Sequence, residues 1–191
     1  MRTFVALDLT EETQAALRAA QKAMGRLGGL RWTDPAAIHL TLKFIGDIED
    51  ARLAAAFDVM RRAAAGVAPV EFAVRGLGWF PPGRRPRVIW AGIEGSTGVI
   101  AELARRLDEG LADLGIAREA RAFKPHLTLG RANGRIDASE VEAAFGRIAK
   151  REFGQELAEE LVLYMSELLP SGARYTRMGA IPLEGKTQEG H

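Results

Sequence analysis

The chain is predicted to be an α+β protein of two pseudo-symmetric lobes, each an antiparallel-rich sheet with helices on its outer face. Three observations lead there. The tetrapeptide His39-Leu40-Thr41-Leu42 returns as His126-Leu127-Thr128-Leu129, an offset of 87 residues (126 minus 39). The same offset carries a strand-like stretch at Phe4 onto Ala91 and the first helical pattern onto the third. Between the copies, Pro81-Pro82-Gly83-Arg84-Arg85-Pro86 cannot continue regular structure and divides the chain into halves of about 1–83 and 84–183. The reading is a single bilobal domain over 1–183 and a polar tail over 184–191 that is expected to be disordered. Pseudo-twofold packing of the halves would set the two tetrapeptides face to face.

Each element has its own local signal. Arg2 to Leu9 is a short apolar strand, and Thr10 can cap a helix whose first turn holds Glu11 and Glu12, favourable beside the positive end of the helix dipole. Gly28-Gly29 is expected to stop that helix. Arg31-Trp32-Thr33 leads through the Asp34-Pro35 turn to the first motif strand, Ile38 to Ile45, closed by Gly46. An alanine-rich helix follows from about Asp50 to Ala65, then a strand from Val70 to Phe80 in which Gly76 and Gly78 predict a bulge or bend. Beyond the midpoint loop, Arg87 to Ile93 is a strand, and Ser96 or Thr97 caps a helix to Leu114, stopped by Gly115. Pro125 precedes the second motif strand, His126 to Arg131, and Asn133-Gly134 turns the chain into a helix from about Asp137 to Ala149. Glu160 to Leu169 and Arg174 to Leu183 finish as strands joined by Pro170-Ser171-Gly172.

Composition removes several classes of function. With 26 basic and 25 acidic residues the formal charge is +1, so no nucleic-acid coat is announced and any anion site must be local. The absence of cysteine rules out disulfides, thiolate metal sites and cysteine nucleophiles, and suits a reducing cytoplasm. No stretch approaches the roughly 20 apolar residues that span a bilayer, and the start has too short an apolar run for a signal peptide, so no membrane partner is expected.

The chemistry lies in the repeat. Along a strand, side chains alternate between faces, so each copy sends His and Thr to one side and its two leucines to the other. The chain has three histidines; two open these copies and the third is the last residue, His191. An imidazole titrates close to neutral pH, so two facing each other can hold one proton between them, His39 and His126 serving as general acid and base. Such a pair suits phosphodiester cleavage: one removes a proton from attacking water while the other donates to the departing ribose oxygen. Thr41 and Thr128, two residues on, share that face and can donate hydroxyl hydrogen bonds to nonbridging phosphate oxygens. Lys43 shares it by the same parity. Arg131, five residues past His126, falls on the opposite face unless the strand bends. Two histidines without a nearby carboxylate or third ligand make a poor metal constellation, so neither metal nor cofactor is expected.

The paired His-x-Thr-x strands resemble the signature of the two-histidine phosphoesterase superfamily. Within it the chain is similar to the bacterial and archaeal RNA 2',3'-cyclic phosphodiesterases, also called 2'-5' RNA ligases. The similarity extends through Phe4-Val5-Ala6-Leu7, Arg31-Trp32, Lys43-Phe44-Ile45-Gly46, Pro86-Arg87-Val88-Ile89-Trp90-Ala91-Gly92, Phe123-Lys124-Pro125, Gly130-Arg131 and Ser166 to Tyr175. It implies hydrolysis of an RNA-terminal 2',3'-cyclic phosphate to a 2'-phosphomonoester, without metal, in an active-site cleft between the lobes. His39 would then protonate the leaving 3' oxygen and His126 would activate water, with Thr41, Thr128 and Arg131 on the phosphate. For Arg131 the resemblance overrides strand parity if the strand turns irregular at Gly130. Run backwards, the same site would join 2'-phosphate and 5'-hydroxyl ends.

Expected partners are RNA ends or tRNA fragments carrying 2',3'-cyclic phosphate, or nucleotides, met by a monomer, since two fused lobes already complete the site. Lys43, Trp32, Phe80, Arg84 and Arg85 are candidate contacts to RNA backbone or base. Trp79 is a further candidate platform, Arg87 a further phosphate contact, and Trp90 is expected in the core. The competing readings are an RNA-end or nucleotide binding module without turnover, and a phosphodiesterase for small cyclic nucleotides.

Overall fold

The computed structural model describes residues 2–169 and 172–186. Among the described residues, nine strands form two sheets in which every pairing is antiparallel. In chain order they are β1 (Arg2–Leu7), β2 (Leu30–Trp32), β3 (Leu40–Asp47), β4 (Val70–Phe80), β5 (Val88–Gly95), β6 (His126–Ala132), β7 (Glu152–Ala158), β8 (Glu160–Leu169) and β9 (Gly172–Pro182). The helices are α1 (Glu11–Met24), α2 (Leu53–Ala64), α3 (Thr97–Ala112) and α4 (Ala138–Phe145). One sheet runs β3-β1-β8-β9 and the other β2-β6-β5-β4-β7, so the α+β, two-sheet expectation holds.

The lobes are not the two halves of the sequence. Strand β4 leaves its own half to pair with β5, and β8 leaves its half to pair with β1. Helices cross as well: α1 follows β1 but packs against β7 in the other sheet, while α3 follows β5 and packs against β3. Each sheet is thereby built from strands of both halves, and the strand path changes sheet four times, at β1/β2, β2/β3, β3/β4 and β7/β8, rather than through one linker. One continuous core results, with Leu7, Leu17, Leu40, Ile89, Leu103, Leu107, Leu127 and Leu163 fully buried. Burial of each such side chain contributes about 2 kcal/mol.

Local departures from the sequence reading have local causes. Helix α1 ends at Met24 because Gly25 takes φ 71° and its N–H donates to the Gln21 and Lys22 carbonyls. Its N-terminus is capped by Thr10, whose N–H and hydroxyl both donate to the buried Glu156 carboxylate of β7 at 2.8 and 2.9 Å. The helix expected over 137–149 is regular only to Phe145; Gly146 at φ 43° starts a 3-10 turn. Two edge strands, β2 and β7, were not foreseen, since three residues are too few for periodicity and β7 carries polar residues at three of its seven positions. The bulge expected in β4 is present, with Arg75 and Gly76 facing only Gly92 between the paired residues Val74 and Leu77.

Leu169 pairs with Gly172, as a tight β8–β9 hairpin requires, although Pro170 and Ser171 lie outside the described residues. So does the end of the polar tail, 187–191, including His191. The start of that tail is held in place: the Gly185 N–H donates to the Val67 carbonyl at 2.8 Å.

Candidate active site

Both motif strands carry the same irregularity at the same place. In β3, Ala6 pairs with Thr41 and Val5 with Lys43, leaving Leu42 as an extra residue. In β6, Trp90 pairs with Thr128 and Ile89 with Gly130, leaving Leu129 extra. A bulge of one residue reverses the parity of everything beyond it. Past Leu129, Arg131 pairs with Val88 and turns to the face of Trp90 and Thr128. The irregularity that parity demanded for Arg131 exists, one residue earlier than expected.

The bulge in β3 corrects the reading of Lys43. Its ammonium is turned into the core, 2% exposed, where it donates to Asp108 of α3 at 2.7 Å and to the Ala117 carbonyl at 2.8 Å. Glu119 stands 3.5 Å away. Lys43 therefore closes the helix side of its sheet and does not reach RNA. The cleft position is taken by Phe44, 56% exposed, the pseudo-symmetric counterpart of Arg131.

The bulged strands β3 and β6 lie against each other, one from each sheet. His39 sits just before β3, where a 3-10 turn, Pro35–Ala37, delivers it. Its ring stacks on Phe4 at 4.5 Å, lies 5.9 Å from Tyr164 and meets Tyr175 edge-on at 5.1 Å. This apolar cage pushes its pKa down to about 4 by desolvation, with a hydrogen bond to the Ala37 carbonyl acting in the opposite sense. His126 opens β6, its ring edge-on to Phe80 at 5.1 Å. Its Nδ1 donates to the Lys124 carbonyl at 2.7 Å. Burial lowers its pKa too; the carbonyl bond opposes this, and the Arg131 charge adds to the lowering.

Both imidazoles are thus oriented by the carbonyl two residues upstream. A carbonyl can only accept, so each neutral ring carries its proton there and offers its other nitrogen as an acceptor. Thr41 and Thr128 are half-buried, and their hydroxyls have no hydrogen-bond partner among the described residues. Arg131 is exposed, and its charge reaches both His126 in its own sheet and Tyr175 in the other.

The remaining sequence candidates separate. Arg84 and Arg85 are exposed in the 81–87 loop, which is held by hydrogen bonds from Arg87 N to the Phe80 carbonyl and from Ala138 N to the Arg84 carbonyl. Arg87 is exposed beside them. Phe80 packs between His126 and Trp90 on the cleft face. Trp32 is corrected: it pairs with Gly130 on the reverse face, packs on the core, and donates from Nε1 to the Gly25 carbonyl at 3.0 Å. Trp79 is likewise inward, against Phe145, donating to the Gly83 carbonyl. Trp90 lies flat against Gly78, where a Cβ would come within 2.2 Å of its Cζ2.

Sequence reasoning did not assign roles to Phe4, Tyr164, Tyr175, Asp8 and Arg177 around His39. One signal was available: the chain has two tyrosines, both in the last hairpin and both beside His39.

Two histidines on matching, mutually contacting strands of the two sheets are the pattern of a two-histidine phosphoesterase. The chain belongs to the LigT like phosphoesterase family, whose model matches residues 7–90 and 93–175. It is 33% identical over 179 residues to an RNA 2',3'-cyclic phosphodiesterase of Methanothermobacter thermautotrophicus, covering 93% of this chain and 96% of that protein. A protein of the same name from Thermotoga maritima is 30% identical over 196 residues, covering 97% of each. A crystal structure of a Thermus thermophilus protein superimposes with a TM-score of 0.82 at 32% identity, over 98% of this chain and all of that one. E. coli LigT complexed with 3'-AMP shares the fold, with a TM-score of 0.77 at 22% identity over 95% of this chain and 97% of that one. No helix among the described residues is long and apolar enough to cross a membrane.

Proposed function

We propose that the protein hydrolyses RNA-terminal 2',3'-cyclic phosphate to a 2'-phosphomonoester by acid–base catalysis between His39 and His126. The observation that carries this reading is the matched pair of imidazoles, each pinned by the carbonyl two residues upstream, on bulged strands that contact each other from the two sheets. His126 removes a proton from water as its oxygen attacks phosphorus; the bond from phosphorus to the 3' oxygen breaks, and His39 protonates that oxygen. Thr41, Thr128 and Arg131 donate to the nonbridging oxygens, where negative charge accumulates.

His39 must be protonated to act as an acid, yet in the free protein burial holds its pKa near 4. The anionic phosphate resolves this, because a negative charge beside an imidazole raises its pKa. The substrate thereby helps to load the acid. With a 5'-hydroxyl in place of water, the same groups would open the cyclic phosphate to a 2'-5' linkage, His126 taking the hydroxyl proton as the bond to the 3' oxygen breaks and His39 protonating that oxygen. RNA ends and tRNA fragments are the substrates this reading favours, met in the cytoplasm by a monomer, since one chain supplies both motifs.

The test is turnover of an oligonucleotide ending in 2',3'-cyclic phosphate, in the presence of a chelator, by wild type, His39→Ala and His126→Ala, with the product phosphate located. Wild type is expected to make the 2'-phosphate and both variants to lose turnover. Binding without turnover by the wild type would make the cleft a recognition module instead.

A further inference from the structure

Resting on the phosphodiesterase reading, we infer that the cavity beside His39 is the subsite for the terminal nucleoside, and that Asp8 there selects bases carrying an exocyclic amino group over uracil.

The cavity measures about 320 Å³ and is lined by Asp8, Gln14, His39, Tyr164, Tyr175 and Arg177. Its position follows from the chemistry. His39 delivers its proton to the 3' oxygen, which belongs to the ribose; the attacking water approaches from the opposite side. The nucleoside must therefore lie on the His39 side of the phosphate, where this cavity opens. Its aromatic walls suit a base, since every base has a face that stacks on an aromatic ring.

The polar end of the cavity is built from three elements. Asp8 follows β1; its carboxylate accepts from the Tyr164 hydroxyl at 2.7 and 2.9 Å. Arg177 of β9 donates to Glu160 at 2.7 Å and stands 3.8 Å from Asp8. Gln14 of α1 adds an amide that has no hydrogen-bond partner among the described residues. The two Asp8 oxygens offer about four acceptor sites, and a single hydroxyl occupies at most part of them. What remains faces the cavity as an acceptor next to the donors of Arg177 and the amide of Gln14.

This set distinguishes bases by their edges. Cytosine, adenine and guanine carry an amino group that can donate to Asp8, and each has an acceptor for Arg177 or Gln14. Uracil presents the O4 oxygen where cytosine presents its amino group, so the carboxylate meets an oxygen lone pair. Cytosine and uracil have the same ring and nearly the same size, which isolates the effect of that edge.

The experiment compares kcat/KM for 2',3'-cyclic CMP and 2',3'-cyclic UMP in the wild type, Asp8→Asn and Gln14→Ala. The wild type is expected to favour cytosine roughly tenfold. Asp8→Asn is expected to bring the ratio to about one, because the new amide can donate to O4. Gln14 lies half-exposed on α1 and supports no other group, so Gln14→Ala is expected to fold and to raise KM for cyclic CMP roughly threefold, the effect of one hydrogen bond. Equal turnover of both nucleotides by the wild type overturns the subsite alone, as does an unchanged ratio in Asp8→Asn or an unchanged KM in Gln14→Ala. Failure to turn over either nucleotide or a cyclic-phosphate oligonucleotide overturns the phosphodiesterase reading and the subsite with it.

Discussion

Leu42 and Leu129 are each the extra residue of a β-bulge, and each stands directly after the threonine of its His-x-Thr-x motif. Both are buried, at 3% and 0% exposure, so the bulge does not cost the strand its apolar face. What it changes is everything downstream. In one copy it brings Arg131 to the threonine face; in the other it withdraws Lys43 and presents Phe44. One device, used twice, makes the two sides of the cleft chemically unlike.

The two histidines act as a unit, so their substitutions are expected to be non-additive. His39→Ala and His126→Ala should each lower kcat by about 10²- to 10⁴-fold, and the double variant should be little worse than either. Single-turnover kinetics on a cyclic-phosphate oligonucleotide would measure this. Multiplicative losses would mean that the two imidazoles serve separate steps.

Arg131→Ala is expected to reduce kcat/KM by roughly 10²-fold, the loss of one charge-assisted donor to the transition state. Its side chain is exposed and makes no ion pair among the described residues, so the melting temperature should stay unchanged. Steady-state kinetics beside a thermal melt separates the two effects.

Lys43→Met is expected to behave in the opposite way. Removing the buried ammonium leaves Asp108 with only the Glu119 N–H as donor and leaves the Ala117 carbonyl without its donor. Stability should fall by on the order of 3 kcal/mol, the lower end for a broken buried pair because Asp108 is 20% exposed. KM for RNA should not move. A raised KM at unchanged stability would return Lys43 to the cleft.

Stability should depend on pH through His39. Its folded pKa of about 4 lies below the ordinary value of 6.5, so between the two the unfolded chain binds more protons. The contribution is fully present above pH 6.5 and is lost as pH falls toward 4, a change on the order of 3 kcal/mol. Urea unfolding from pH 7 to pH 4 should show this slope in the wild type and a shallower one in His39→Phe.

Activity should show the reverse influence of the ligand. Because bound phosphate raises the His39 pKa, the alkaline limb of kcat is expected at higher pH than that of kcat/KM, which reports the free enzyme. Coincident limbs would mean that phosphate does not contact His39.

Much of the site was legible in the chain because its signals are local. His39, Thr41, His126 and Thr128 fall on one face by strand alternation, and their repetition marks both copies without any knowledge of the fold. Trp32, Trp79 and Lys43 were misplaced because a ring or an ammonium carries no mark of the face it takes. That depends on neighbours: Gly130 beneath Trp32, Phe145 beside Trp79, and Asp108 across from Lys43.

By itself the sequence determined seven of the nine described strands, the four α-helices, the motif pair and the chemistry those residue types can do, since these follow from side-chain period, caps and titration near neutral pH. Only the tertiary structure decided which sheet each strand joined, where the bulges fell, and what surrounded His39. The physical reason is that pairing, register and desolvation are properties of contacts between distant segments. β8 joins β1 from the far end of the chain, and no window along the sequence contains both partners.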